Sequence, residues 1–243
     1  MSRAVGSEIN QCVFDGLMIS DAYLSRSSET SRARMGMNCK FAGFMQAMVS
    51  HLDCLDWSDI SERDQLDKRT KKAYKRFSAR SRVDSYLTTQ YNRWYPQGSK
   101  IVPRDIKLSD EMLLWWYLGD GTLHRRKSRP NYRRIMFCTD SFSVEDNEFL
   151  ISKLKDRFGN KSIYLEKNEI AVASDALVGL CKVLNGKNPV AEYEYKFDFG
   201  QYVDKDYKKK SYADRPLAHI NEYRKKHKVR ELTFESKEEI NHV

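Results

Sequence analysis

The chain has 243 residues and carries 43 lysines and arginines against 34 acidic residues, a formal net charge of +9. No segment approaches the roughly 18 consecutive apolar residues of a membrane-spanning helix, so a membrane protein is excluded. The amino terminus has no apolar signal core, which predicts an intracellular protein that is not secreted. Five scattered cysteines without C-x-x-C spacing predict reduced thiols and disfavour a zinc site.

Positive charge is concentrated in four runs that mix cations with aromatic or small polar residues. Any one run is typical of a solvated surface, but four on a basic chain favour a polyanionic partner whose phosphates they neutralise. The runs cover residues 68–82, 124–134, 205–210 and 223–230.

Two apolar stretches end in an acidic residue and open an internal repeat. The first, "VFDGLMISDAYL", contains Asp21, and the second, "LLWWYLGDGTL", contains Asp120, 99 positions later. Either stretch alone reads as a buried helix that ends in a turn, with the aspartate as an ordinary helix-end residue. Two such stretches at one register of a repeat favour a shared function.

The first copy continues with a strand and a helix. Residues 31–40 alternate between an apolar face and a cationic or polar face, as a strand does. Apolar residues in 41–52 follow a helical period. Residues 81–95, rich in aromatic and β-branched residues, are interpreted as strand.

The second copy repeats this order. Residues 132–141 predict a strand, and Ser143 and Gly159 predict the start and end of a helix. Residues 161–174 predict a hairpin that turns near Lys167, and residues 175–184 an amphipathic helix. Fold class is therefore α+β, built from two similar halves.

Small residues predict that the two opening helices pack closely together. Gly16 and Ser20 lie one helical turn apart, and Gly119 offers the same opportunity on the second helix. Close packing would bring Asp21 and Asp120 to the negative ends of two helix dipoles, which is unfavourable without cations. Hard divalent ions such as Mg²⁺ would relieve this repulsion and can promote phosphodiester hydrolysis.

"FDGLMISDA" and "LLWWYLGDG" resemble the two copies of the motif that names the LAGLIDADG homing endonucleases, in their double-motif, single-chain, intron-encoded form. The resemblance extends over residues 9–200. It implies two pseudo-twofold related αββαββα halves, each with a saddle-shaped antiparallel sheet, packed through the motif helices. The expected domains are a first half at 7–95, a linker at 96–109, a second half at 110–200 and a basic extension at 201–243.

The resemblance implies a monomeric, site-specific endonuclease that cuts both strands of a long asymmetric DNA target and leaves short 3′ overhangs. Asp21 and Asp120 would bind Mg²⁺ or Mn²⁺, with Ca²⁺ as a substitute that does not support cleavage. Ser20 and Gly119, at the same helix ends, are further expected metal ligands. Lys100 and Lys196 match the lysine that each half usually places at the catalytic centre.

The sheets implied by the family would read DNA in the major groove. The candidate contacts are the polar and cationic residues of the expected strands and basic runs: Arg32, Arg34, Asn38, Lys40, Arg82, Tyr86, Gln90, Arg125, Arg126, Arg133 and Arg134.

The chain departs from the family pattern at several positions. Ala22 replaces the preferred glycine, and Trp115 stands at a small-residue position, which predicts an offset packing against Gly16. Asn38 and Asp140 are weak candidates for the polar side chain that often lies near the metals.

Several alternatives remain open at this stage. An RNA-binding intron maturase, or a DNA-binding protein without cleavage, would use the same fold, with intron RNA as the partner of the former. Glu194-Tyr195-Lys196 is a weak match to PD-(D/E)xK nucleases, and His219 and His227 lack metal-site spacing.

Overall fold

A computed structural model describes residues 9–67, 70–126, 129–159 and 162–204, without the side chains at 126 and 129–132. The helices, strands and contacts of the fold are those of these residues. The Arg126 side chain, the two basic runs beyond residue 204, both tail histidines and most of the predicted extension lie outside them. Within the described part, no helix is long and apolar enough to cross a membrane.

The first half contains three helices and four strands in the predicted order. They are α1 (Gln11–Ile19), β1 (Tyr23–Ser25), β2 (Arg34–Cys39), α2 (Ala42–His51), β3 (Ser61–Leu66), β4 (Ala73–Arg80) and α3 (Ser85–Trp94).

The second half repeats this order and adds two short 3₁₀-helices. Its elements are α4 (Asp110–Asp120), β5 (Gly121–Arg126), β6 (Arg129–Cys138), α5 (Val144–Phe158), β7 (Ile163–Glu166), β8 (Glu169–Val172), α6 (Ser174–Leu184), η1 (Ala191–Lys196) and η2 (Gly200–Val203).

Each half forms one antiparallel four-stranded sheet with the same strand order. The first sheet runs β1-β2-β4-β3 and the second runs β5-β6-β8-β7. The two halves therefore share both element order and topology, and the predicted pair of αββαββα halves is confirmed.

Local chemistry explains where the helices begin and end. The Asn10, Asp84, Ser109 and Ser143 side chains each accept a backbone N–H in the first turn of α1, α3, α4 and α5. Gly159 ends α5 at φ 93°, a left-handed conformation that glycine adopts without strain. The predicted hairpin turn lies at Lys167 and Asn168, both with positive φ, between β7 and β8.

The interpretation of residues 81–95 as strand was wrong. Asp84 caps a helix there, and Leu87, Gln90 and Trp94 recur at helical spacing as its buried residues. Burial of one face outweighed the weak strand preference of its aromatic and β-branched residues. The missing strands are β3 and β4, which are polar and largely exposed.

The core is centred on α1 and α4, which pack against each other and are buried over most of their length. Val13, Phe14 and Leu17 of α1 have no exposed surface. On α4, Trp116 stacks on Phe137 of β6 with ring centres 4.1 Å apart. The apolar sequence of both helices thus follows from contacts on all sides rather than on one face.

Candidate active site

The two motif helices approach each other more closely than side chains normally permit. A Cβ atom placed on Gly16 would lie 2.5 Å from the Met112 carbonyl oxygen and 2.8 Å from Trp115 Cβ. One placed on Gly119 would lie 2.4 Å from Ser20 Oγ. Trp115 therefore packs directly against Gly16.

This packing brings the two aspartates to one end of the helix pair. Helix α1 ends at Ile19, and Asp21 follows in a turn closed by a 3.1 Å hydrogen bond from the Ala22 amide to the Leu17 carbonyl. Asp120 is the last residue of α4. The two carboxyl groups are close enough for the Asp21 charge to raise the pKa of Asp120.

Both aspartates hold their protons more tightly than in water. Burial, with the neighbouring Asp21 charge, raises the pKa of Asp120 from 3.8 to about 7, although Lys100 and Lys196 oppose the change. The pKa of Asp21 is raised, also chiefly by burial. The pair is a site of concentrated, incompletely neutralised negative charge.

Two lysines, Lys196 buried and Lys100 half-buried, lie at the carboxyl ends of the motif helices. Lys100 Nζ donates to the carbonyl oxygens of Ala22 at 2.8 Å and Ser20 at 3.1 Å. Lys196 Nζ donates to those of Leu118 at 2.8 Å and Gly119 at 3.4 Å. Each ammonium group thus satisfies carbonyls at the negative end of one helix.

The lysines share the electrostatic environment of the aspartates. Burial lowers the pKa of each ammonium group to about 8, although the charges of Asp120 and Asp21 act in the opposite direction. Lys196 lies on the 3₁₀-helix η1 and is buried. The structure therefore gathers Asp21, Asp120, Lys100 and Lys196 in one place.

The other expected metal ligands are already engaged. Ser20 Oγ donates to the Gly16 and Leu17 carbonyls within α1, and the Ser20 and Gly119 carbonyls accept from the two lysines. No group of three or more His, Cys, Asp or Glu side chains suited to a metal occurs among the described residues. Two carboxylates suit Mg²⁺, which usually completes its shell with waters and substrate phosphates.

The first sheet presents a cationic, hydroxyl-rich face. The strand registers place Asn38 opposite Ser78, and Arg63 opposite Arg76, while Met37 and Ala79 lie buried on the other side. The polar face bounds a groove of about 690 Å³, whose polar and charged lining residues are Asn38, Ser58, Asp59, Ser61, Arg63, Arg76, Ser78 and Arg80. Arg76 also lies near enough to Asp21 for its positive charge to offset part of the rise in the pKa of Asp21 that burial causes.

Arg63, Arg76 and Arg80 were absent from the predicted contacts. The period-two pattern of residues 73–80 could have identified two of them. Of the predicted residues, Arg34 and Asn38 belong to the same face of β2, with Arg32 and Lys40 exposed beside the strand. Arg82 is exposed and forms an ion pair with Asp56.

The arginines of the second sheet divide between its two faces. Arg134 pairs in register with His124 and binds Glu166, one of the two hydrogen bonds being 3.0 Å long. Arg125 and Arg133 face each other on the side of the buried Ile135.

Those two arginines are held by Asp198, after η1. The distances from their Nη2 atoms to Asp198 Oδ2 are 2.8 Å for Arg125 and 4.0 Å for Arg133. Strand parity places both arginines on the face that carries the buried Ile135. The face that carries Arg134 lies on the opposite side of the sheet and is the one expected to meet DNA.

Tyr86 and Gln90 were proposed as DNA contacts on a strand that does not exist. Both lie on α3, where the Tyr86 hydroxyl donates to Gln11 Oε1 at 2.6 Å and Gln90 is 6% exposed. Because residues 85–94 form a helix, the reason for expecting Tyr86 and Gln90 to contact DNA from a strand no longer holds. Asp140 is exposed, and its charge raises the pKa of Asp120.

Comparisons with known proteins agree with this architecture. Residues 12–171 match the model of the LAGLIDADG DNA endonuclease family. This match spans more than half of the chain, which therefore belongs to that family.

A solved structure and a curated protein show similarity at different levels. The homing endonuclease I-WcaI, solved bound to its DNA recognition sequence, is similar over 80% of this chain and 89% of its own, with a TM-score of 0.69 and 17% identity. An uncharacterized protein of Methanocaldococcus jannaschii is 38% identical over 95 residues, 35% of this chain and 36% of that protein. The first similarity shows a shared fold; the second spans about a third of the relative's length.

Proposed function

We propose that this chain is a site-specific endonuclease that hydrolyses both strands of a long, asymmetric DNA duplex and leaves short 3′ overhangs. One chain supplies both motif helices, so it would act as a monomer. The observation that carries the proposal is the convergence of Asp21, Asp120, Lys100 and Lys196 at the ends of α1 and α4. The position of the first sheet's cationic groove supports DNA as the substrate.

Asp21 and Asp120 would hold the divalent ions. Their carboxylates repel each other, and the raised pKa of Asp120 reflects a site that favours added positive charge. When bound, such ions activate water and stabilise the departing oxygen of a phosphodiester. Mg²⁺ is the expected ion, Mn²⁺ an active replacement and Ca²⁺ one that permits binding without cleavage.

The lysines have a different role in this proposal. With a pKa of about 8, the Lys100 and Lys196 ammonium groups remain mostly protonated at neutral pH. Each is held by carbonyl oxygens close to the aspartates, where it can offset charge that develops on the phosphate. Because both ammonium groups are already held in position, they need not move when this charge develops.

The proposal is tested by selecting cleavable duplexes from a random library in the presence of Mg²⁺. The unmodified protein should cut a recoverable sequence in both strands, whereas Asp21→Asn and Asp120→Asn should bind it and cut at least about 100-fold more slowly. Specific binding without any cleavage would contradict the endonuclease activity. Retained cleavage by both variants would contradict the assigned site.

A further inference from the structure

The two catalytic lysines belong to segments that contact both halves of the fold. We name residues 100–104 the first clasp and η1 (Ala191–Lys196) the second clasp. Each clasp carries one lysine at its motif helix and, four residues away, a charged side chain that contacts the opposite half.

In the second clasp, Glu192 binds the amino-terminal end of α2 in the first half. Its Oε1 accepts a 3.0 Å hydrogen bond from the Gly43 amide, while Phe41, at the cap position, makes no side-chain cap bond. A carboxylate is well suited to this positive end of a helix. Gly43 leaves the necessary space, because a Cβ there would lie 2.4 Å from Glu192 Oε2.

Aromatic packing connects Glu192 to Lys196 within this clasp. The Tyr193 ring packs against Phe41 and Phe44 with centres 5.2 and 5.3 Å apart. Lys196 Nζ lies 4.4 Å from the centre of the Tyr193 ring, a cation–π contact. The ammonium group is therefore held by α4 carbonyls on one side and by a ring fixed against the first half on the other.

In the first clasp, Arg104 binds the amino-terminal turn of α5 in the second half. Its Nη2 lies 3.0 Å from Oδ1 of Asp146, whose side chain is 4% exposed. The guanidinium lies over the Phe149 ring at 4.7 Å. Lys100 Nζ is 5.8 Å from the Phe142 ring centre, just before the same helix. The two clasps thus cross between the halves in opposite directions.

We propose that Arg104 and Glu192 are positioning residues, each of which fixes one catalytic lysine relative to the half that does not carry its motif helix. This inference rests on the endonuclease proposed above. Small displacements of a catalytic group can cost large factors in rate. Because each clasp holds a different lysine, loss of one should slow the cutting of one strand more than the other.

The test measures the cleavage rate of each strand separately, on a duplex recovered by the selection above and labelled with a different fluorophore on each strand. Arg104→Met and Glu192→Ala should each create an imbalance of about 10-fold between the two strand rates. The slower strand should be opposite in the two variants. A nicked intermediate should accumulate in both cases.

Conservative and control variants separate positioning from folding. Glu192→Gln retains the acceptor for Gly43 and should restore most of the balance, whereas Glu194→Ala, an exposed position on the same short helix, should leave both rates unchanged. Gly43→Ala should reproduce Glu192→Ala without adding to it in the double variant. Thermal unfolding measured in parallel reports general destabilisation, which slows both strands equally.

Equal slowing of both strands by Arg104→Met and Glu192→Ala would overturn the inference, as would unchanged rates. An unmodified protein that binds the selected duplex and cuts neither strand would instead overturn the proposed function, and the inference with it.

Discussion

Replacing Asp120 by asparagine should stabilise the metal-free protein. The substitution keeps size and removes a charge that the fold disfavours. Burial and the Asp21 charge raise the pKa of Asp120 from 3.8 to about 7, so the folded protein binds this proton more tightly than the unfolded chain. The free energy of unfolding therefore falls as pH rises from about 4 to about 7, and the full cost persists above pH 7.

The size of this effect follows from the difference between the two pKa values. At about 1.4 kcal/mol per pH unit it corresponds to about 4 kcal/mol, and partial contact of the carboxylate with solvent reduces this to about 2 kcal/mol. For a chain of this length, Asp120→Asn should raise Tm by about 4–8 °C at pH 8. At pH 4, where Asp120 is protonated in the folded protein and only about half ionised in the unfolded chain, most of the gain should be lost.

The assay is thermal unfolding in a chelator at pH 4 and pH 8. Asp110→Asn is the matched control, because hydrogen bonds from Lys187 and Arg157 lower the pKa of Asp110. It should lose a little stability at pH 8, the opposite sign. If Asp120→Asn does not raise Tm at pH 8, or raises it equally at both pH values, the electrostatic reasoning is refuted.

Three further substitutions test the interface, the buried ion pair and the DNA face. Gly16→Ala should lower the free energy of unfolding by about 3 kcal/mol in denaturant titrations, because its Cβ would lie 2.5 Å from a carbonyl oxygen of α4. An unchanged free energy of unfolding would mean that the two helices can move apart without cost. Arg93→Leu should cost about 3–5 kcal/mol in the same assay, because Asp15, 3% exposed, loses its 2.6 Å partner. Arg76→Gln should weaken binding to a random duplex and reduce its salt slope by about 1, whereas Arg125→Gln should not; equal losses would contradict the assignment of the faces.

Much of the fold could be predicted from sequence because the motif helices are buried on all sides and recur at a fixed spacing. Strand β3 was missed because "SERDQL" contains almost no apolar residues that could show a period. Strand β4, "AYKRFSAR", was missed because it lies within the basic run at residues 68–82, which was interpreted only for its charge. Helix α3 was misread because only tertiary packing selects the buried face of Gln90 and Trp94.

The centre of the candidate site was easier to predict than its periphery. Asp21 and Asp120 stand at helix ends that the motif defines, and Lys100 and Lys196 were located through the family resemblance. Strand parity in the second sheet could not be fixed in the same way, since "HRRKSRPNYRR" offers no apolar alternation. Arg125 and Arg133 were therefore assigned to DNA although Asp198 holds them on the other face.

The motif-helix interface also determines which halves can be partners. Gly16 and Trp115 occupy equivalent positions of the repeat, 99 residues apart, and pack against each other; the same is true of Ser20 and Gly119. Two copies of the second half would bring one Trp115 against another, and two copies of the first would face glycine with glycine. Each half thus fits the other better than it fits itself. Because a symmetric dimer needs a surface that is complementary to itself, neither half offers this interface to a second copy of itself.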